Sequence, residues 1–281
     1  MASRQPCEDP VKGHRNSKLF IIIAAIFAGL LLRLWFLKHA ALIAGDTFIY
    51  GDIAKSWLTH GVYGFSREHS APVPTLIRLP GYPLFLALSF LIFGQEHYGA
   101  VLYTQVIIDL LTCLLIAALA ARLFGRRAYY VALWIAALCP FTASYAAVGL
   151  AETLTLFTIP LAFYALLRWE QSSETPYNRW LYLLAATLAY SLLLRPDQGL
   201  LAAAILPAML WLSLGREESG PPRLSSLLRH LRLKTAAPAL LTALLTILPL
   251  APWTVRNWRT FHVIQPLAPR SAADQIGRAH V

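Results

Sequence analysis

The chain has 281 residues, 57% of them hydrophobic and 14% charged, with a mean hydropathy of +0.55. That is too apolar and too poor in charge for a soluble domain of this length, so the composition points to an integral membrane protein. The net charge of +10 lies in short loops between apolar runs, not in one patch, which argues against nucleic acid and reads as a topology signal.

Residues 1–18 are polar and form the expected cytoplasmic tail. The apolar segment that follows has no small-x-small cleavage site before Gly45, so it reads as a retained signal anchor. A spanning helix needs about 20 predominantly apolar residues. Seven runs meet or approach that length: 19–40, 100–122, 128–148, 150–168, 180–195, 198–214 and 235–252. The run Gly81–Gly94 is shorter and is bracketed by Pro80 and Pro83 on one side and Gly94 on the other. We therefore expect it to lie in one leaflet, as a juxtamembrane helix in a first outer loop over 44–99.

Lys and Arg favour cytoplasmic loops. With seven spans and a cytoplasmic N-terminus, the inner segments collect Arg122, Arg126, Arg127, Arg168, Arg179, Arg216, Arg223, Arg229, Arg232 and Lys234 besides the tail, whereas few basic residues fall outside. Counting Gly81–Gly94 as an eighth span would put the basic loops outside. The expected fold class is thus an all-α polytopic membrane protein with about seven transmembrane helices over 19–252, followed by the start of another outer loop over 253–275.

Only three cysteines occur, Cys7, Cys113 and Cys139, and the eight histidines show no ligand spacing, so neither a disulfide framework nor a zinc site is expected. No fixed-period repeat is visible, and the two halves lack the internal symmetry common in transporters.

Under this topology the unusual polar residues gather at one membrane surface. Asp46 and Asp52 open the first outer loop and Arg78 closes it; Glu152 starts the fourth span, Arg195 and Asp197 form the hairpin "LRPDQG", and Arg256 follows the last span. Ionisable groups at membrane depth are costly, so they are usually paired and functional. Plainer roles stand beside this: Arg195 as a headgroup anchor, and Glu152 as a cap at a helix N-terminus. Asp109, deep in the second span, reads as a structural partner, and Arg33 either snorkels or pairs with an acid. Asp46 follows directly on a span, where a carboxylate beside a low-dielectric wall can be tuned as a general base. Arginine forks suit a phosphate. Together they suggest group transfer from a lipid phosphate.

The stretches "GDTFIYGDIAKSWLTHGVYGF", "RLPGYPLFLALSFLIFG", "RLFGRRAYYVALWIAALCPFTASYAAVGLAETL", "LLLRPDQGLL" and "PWTVRNW" follow one another in an order that resembles the GT-C membrane glycosyltransferases. The branch is the one with ArnT-like, RgtA/B/C/D-like and protein mannosyltransferase members, and the resemblance covers about residues 20–265. It implies a GT-C-like helical bundle and Asp46 as catalytic base, with a polyprenyl-phosphate-linked sugar as donor and inversion at the sugar carbon. It further implies Arg78, Arg195, Arg256, Tyr50 and Tyr82 at the donor, with Asp52, Glu152 and Asp197 at the acceptor or in support. Many relatives place a second acid directly after the first aspartate, where this chain has Thr47; no metal and no other cofactor is expected.

The implied partners are the lipid-linked sugar, membrane lipids, and an acceptor that is lipid A or another glycolipid, a polysaccharide or a protein. The implied place is the cytoplasmic (inner) membrane with the active site on its outer face. The alternative class is a transporter or flippase of lipid-linked sugars, which uses the same arginines without a base. Finally, "IGRAHV" at 276–281 translates one frame of a common sequencing adapter, so we expect the natural coding sequence to depart near residue 275.

Overall fold

The computed structural model describes residues 10–67, 69–172, 175–217 and 233–268. The first residues of the expected tail, much of the basic segment before Lys234, and the suspected adapter segment lie outside the described residues. The described chain is predominantly helical. Its helices are α1 (Pro10–His39), α2 (Asp46–His60), α3 (Gly81–Phe93), α4 (Tyr98–Phe124), α5 (Arg126–Ala137), α6 (Pro140–Ala146), α7 (Glu152–Glu170), α8 (Arg179–Leu194), α9 (Gly199–Glu217), α10 (Leu233–Ile247) and α11 (Leu250–Phe261).

Among the described residues, three segments are long and apolar enough to cross a membrane: Lys18–His39, Tyr98–Phe124, and Ala236–Phe261, which joins α10 to α11. The pair α5 and α6, bent by 55° at its break, makes a fourth if it is one span. Pro140 accounts for the bend, since it has no N–H to continue the helical ladder. The remaining apolar runs of the sequence are helical too, as α7, α8 and α9. Large apolar side chains such as Phe20, Phe27, Ile107 and Ile135 are exposed, as lipid-facing positions of a multi-pass protein must be.

Two features go beyond the expected outline. The first loop is not all helix: β1 (Gly64–Arg67) and β2 (Ser70–Pro74) form an antiparallel hairpin in which Gly64 faces Pro74 and Phe65 faces Val73. A Cβ on Gly64 would lie 2.2 Å from the Val73 carbonyl oxygen, so only glycine allows this pairing. Helical structure, moreover, runs past 252: α11 continues to Phe261, so Arg256 lies on a helix.

The short apolar run is a helix of its own, as its brackets suggested: α3 starts at Gly81 and stops at Gly94, whose φ of 100° ends it. Close backbone approach sets its place. A Cβ on Gly81 would meet the Leu193 backbone at 2.6 Å, so the start of α3 abuts the end of α8. Tyr190 reinforces the contact by donating to the Gly81 carbonyl at 3.2 Å.

Burial divides the bundle into connected cores. Ala162, Trp169, Leu181, Leu188, Ile205 and Met209 join α7, α8 and α9. Ala54, Tyr82, Leu86, Val101, Leu154 and Leu194 join α2 and α3 to α4, α7 and α8. A third cluster, Ile53, Tyr63, Leu76, Leu79 and Trp253, ties the first loop to α11. This last contact anchors the loop against the bundle.

Between α1, α4 and α5 lies a fully buried ion pair. Arg33 and Asp109 are 0% and 1% exposed and meet at 2.6 Å. Arg33 also donates to the carbonyls of Gly29 (2.9 Å) and Ala137 (2.6 Å) and to Cys113 Sγ (3.3 Å). Ala137 closes α5, where helical carbonyls lack intrahelical donors. One guanidinium thus neutralises Asp109 and caps the helix at the bend. Of the two roles open to Arg33, it takes pairing with an acid, and Asp109 has the expected structural partner.

Candidate active site

The chain enters the site from α1 through residues 40–45. Leu42 and Val148 form a parallel bridge, with Leu42 N–H donating to the Ala147 carbonyl at 3.1 Å and Gly149 N–H to the Leu42 carbonyl at 3.4 Å. Gly45 then adopts φ 56°, a left-handed conformation suited to glycine, and α2 begins at Asp46. The Asp46 carboxylate therefore stands at the positive end of a helix dipole, where an acid is favoured. Gly149 fixes the depth of this start: a Cβ there would lie 2.5 Å from Thr47 Cγ2.

Asp46 pairs with Arg78 Nη2 at 2.7 Å, with both side chains partly exposed, 49% and 28%. Arg78 Nε is buried and has no partner among the described residues. The guanidinium lies over the Tyr50 ring, 5.4 Å from its centre, and the Arg78 carbonyl accepts from Tyr63 Oη at 3.0 Å. A second charged group stands nearby. Arg195 donates to Glu152 Oε1 at 2.8 Å and to Asp197 Oδ1 at 3.0 Å. It joins the start of α7 to the turn between α8 and α9.

Tyr50 connects the two groups. Burial raises its hydroxyl pKa above the usual value, and the charges acting on it are Arg78, Asp46, Glu152 and Arg195. The hydroxyl therefore remains protonated at neutral pH. Beneath it lies Tyr82, with ring centres 5.0 Å apart and nearly perpendicular. Tyr82 is fully buried and donates to Gln105 Oε1 at 2.8 Å, while Gln105 Nε2 donates to the Val148 carbonyl at 2.7 Å. Tyr82 therefore supports Tyr50 from within the core and is closed to solvent.

The remaining expected residues lie one layer out. Asp52 accepts from Ser66 N–H at 3.1 Å and latches α2 to β1. Arg256 donates to the Thr75 carbonyl at 2.7 Å, to the Tyr63 carbonyl and to Asn257 Oδ1, and stacks near Tyr63, Trp253 and Phe261. Its fork is spent on loop backbone, and it is not part of the Asp46–Arg78 pair. Among the described residues, no group of three or more His, Cys, Asp or Glu is placed to hold a metal ion.

Gln105, Tyr63 and the 147–149 segment were not singled out in the sequence. Gln105 left a signal, because it and Asp109 are polar residues four apart in an apolar helix and so share one face. Tyr63 and Val148 left none, since they act through backbone carbonyls or loop packing.

No curated protein and no solved structure matched the chain. A family did match: dolichyl-phosphate-mannose-protein mannosyltransferase, over residues 73–255. The match includes Arg78, Tyr82, Glu152, Arg195 and Asp197, while Asp46, Tyr50 and Asp52 lie before it and Arg256 lies just after. It spans more than half of the chain and agrees with the multi-pass architecture and with the GT-C resemblance of the sequence. The chain thus belongs to the dolichyl-phosphate-mannose-protein mannosyltransferase family.

Proposed function

We propose that this protein transfers a sugar from a polyprenyl-phosphate-linked donor to a hydroxyl of a cell-envelope acceptor, at the outer face of the cytoplasmic membrane. The acceptor is lipid A or another glycolipid, a polysaccharide or a protein. The acceptor oxygen attacks the anomeric carbon, the bond from that carbon to the phosphate oxygen breaks, and configuration inverts. Asp46 takes the acceptor proton, and polyprenyl phosphate leaves with the negative charge.

The observation that carries this reading is the two arginine–acid groups whose charges both act on Tyr50. Arg78 has an unused Nε, and its pairing with Asp46 is open to solvent. An incoming phosphate competes for that guanidinium, and the fork of an arginine matches two phosphate oxygens. Drawing Arg78 towards the phosphate leaves Asp46 oriented by its helix N-terminus and ready for a proton. Arg195 supplies the second cation, with Glu152 and Asp197 placing it. The reading assigns Asp52 and Arg256 to holding the loop, and Tyr82 to holding Tyr50.

The test is reconstitution of the full-length protein in vesicles with a polyprenyl-phosphate sugar and candidate acceptors. Release of free polyprenyl phosphate, with a product of opposite anomeric configuration, is the expected result. Movement of the lipid-linked sugar across the bilayer without its consumption would instead establish a carrier.

A further inference from the structure

Helices α4 and α7 both begin at the charged site, with Tyr98 and Glu152, and both run away from it. α4 has 27 residues, which is about 40 Å of helix, so its far end lies at the opposite membrane surface. Near that end a cavity of about 480 Å³ opens between the two helices. Ile116, Leu119 and Leu123 of α4 face Leu156, Pro160 and Phe163 of α7 across it, and its lining is apolar throughout. On α7 the lining residues Leu156, Ile159, Pro160, Phe163 and Leu167 recur at helical spacing along one stripe.

The residues next in sequence to the last lining positions have a different chemistry: Arg122 precedes Leu123 and Arg168 follows Leu167. Arg122, in the last turn of α4, reaches across to α7, donating to Gln171 Oε1 at 2.8 Å and lying 5.2 Å from the centre of the Tyr164 ring. Arg168, in the last turn of α7, stacks on Trp180 at 4.4 Å. Arg126 and Arg127, at the start of α5, are exposed beside them. Glu170 shares the last turn of α7, yet among the described residues none of these four arginines has an ion pair with a carboxylate. Tyr164 and Trp180 are the aromatic types enriched where a bilayer meets water.

An apolar cleft at lipid depth, with cations next in sequence to its last lining residues, complements one kind of molecule. We infer that the cleft between α4 and α7 binds an anionic diacyl phospholipid, with an acyl chain in the groove and the phosphate at Arg122 and Arg168. A zwitterionic lipid fills the groove equally well but brings its own cation to the arginines. Basic pockets between transmembrane helices bind anionic headgroups on this principle, and each arginine near the surface is worth about fivefold in affinity. The site is separate from the Asp46 centre and independent of the transfer reaction proposed for it.

The experiment is native mass spectrometry of the purified full chain in neutral detergent, with equal amounts of phosphatidylglycerol and phosphatidylcholine. We expect phosphatidylglycerol to be retained on the order of tenfold over phosphatidylcholine. Arg122→Gln with Arg168→Gln brings the ratio near one, whereas Arg122→Lys with Arg168→Lys keeps most of it. Lys55→Gln, at the other surface, leaves it unchanged. Filling the groove with Leu119→Trp lowers retention of both lipids. Equal retention of the two lipids by the unaltered chain would overturn the inference. So would an unchanged preference in the double glutamine variant, or displacement of phosphatidylglycerol by an equal amount of a polyprenyl phosphate.

Discussion

Two arginine–aspartate pairs in this protein have almost the same length and opposite character. Arg33 and Asp109 meet at 2.6 Å in full burial, and Arg33 also serves two carbonyls and a sulfur. Arg78 and Asp46 meet at 2.7 Å, but both remain partly open and Arg78 Nε has no partner among the described residues. A saturated buried pair holds helices together, because any exchange of partners strands a charge in a low-dielectric medium. An open pair can exchange one partner for a ligand at little cost, since exposed ion pairs contribute only about 0–1 kcal/mol. The contrast gives the buried pair a structural role and, under the proposed function, leaves the chemistry to the open pair, although their residue types are identical.

Breaking the buried pair has the largest expected effect on stability. Asp109→Ala leaves Arg33 uncompensated and should cost about 3–5 kcal/mol, read as a loss of the folded fraction in detergent. Arg256→Gln comes next. It removes charged hydrogen bonds to the Thr75 and Tyr63 carbonyls, each worth about 1.5–3 kcal/mol, and should free the first loop to proteolysis while the helical core stays intact.

Smaller effects sharpen the open pair. Arg78→Lys keeps the charge but loses the two-pronged fork; donor affinity should fall on the order of tenfold, or about 1.4 kcal/mol, with thermal stability unchanged. Tyr50→Phe should lower turnover only severalfold. Because burial raises the Tyr50 pKa, the hydroxyl stays protonated throughout the neutral range, and the variant should leave the pH–rate profile without a gained or lost inflection between pH 6 and 9 (about four units below to one unit below the ordinary tyrosine value).

Much of the architecture was legible in the sequence. Apolar runs marked the helices, and the Pro80–Gly94 brackets separated α3 from the long spans. The pairing of Asp109 was legible as well, because a carboxylate in mid-membrane requires a partner. The hairpin over 64–74 was not, since "GFSR" and "SAPVP" carry too few β-branched residues to announce strands. The partners of Arg256 were not legible for a related reason. Its place after an apolar run matched that of Arg195, but its partners are backbone carbonyls of Tyr63 and Thr75, which are far away in sequence and have no side-chain signature. Tyr82 and Tyr50 looked alike in the sequence, and only packing separates the buried support from the residue between the two charged groups.

The most direct test concerns Asp46. In the full-length protein, Asp46→Asn keeps the shape of the side chain and removes its capacity to take a proton. Sugar transfer and binding of the lipid-linked donor should be measured on the same preparation. The account predicts that transfer falls by about 10²–10⁴-fold, the usual contribution of a general base, while donor binding persists through Arg78 and Arg195. Transfer at the unaltered rate, with the variant folded and donor bound, would contradict it.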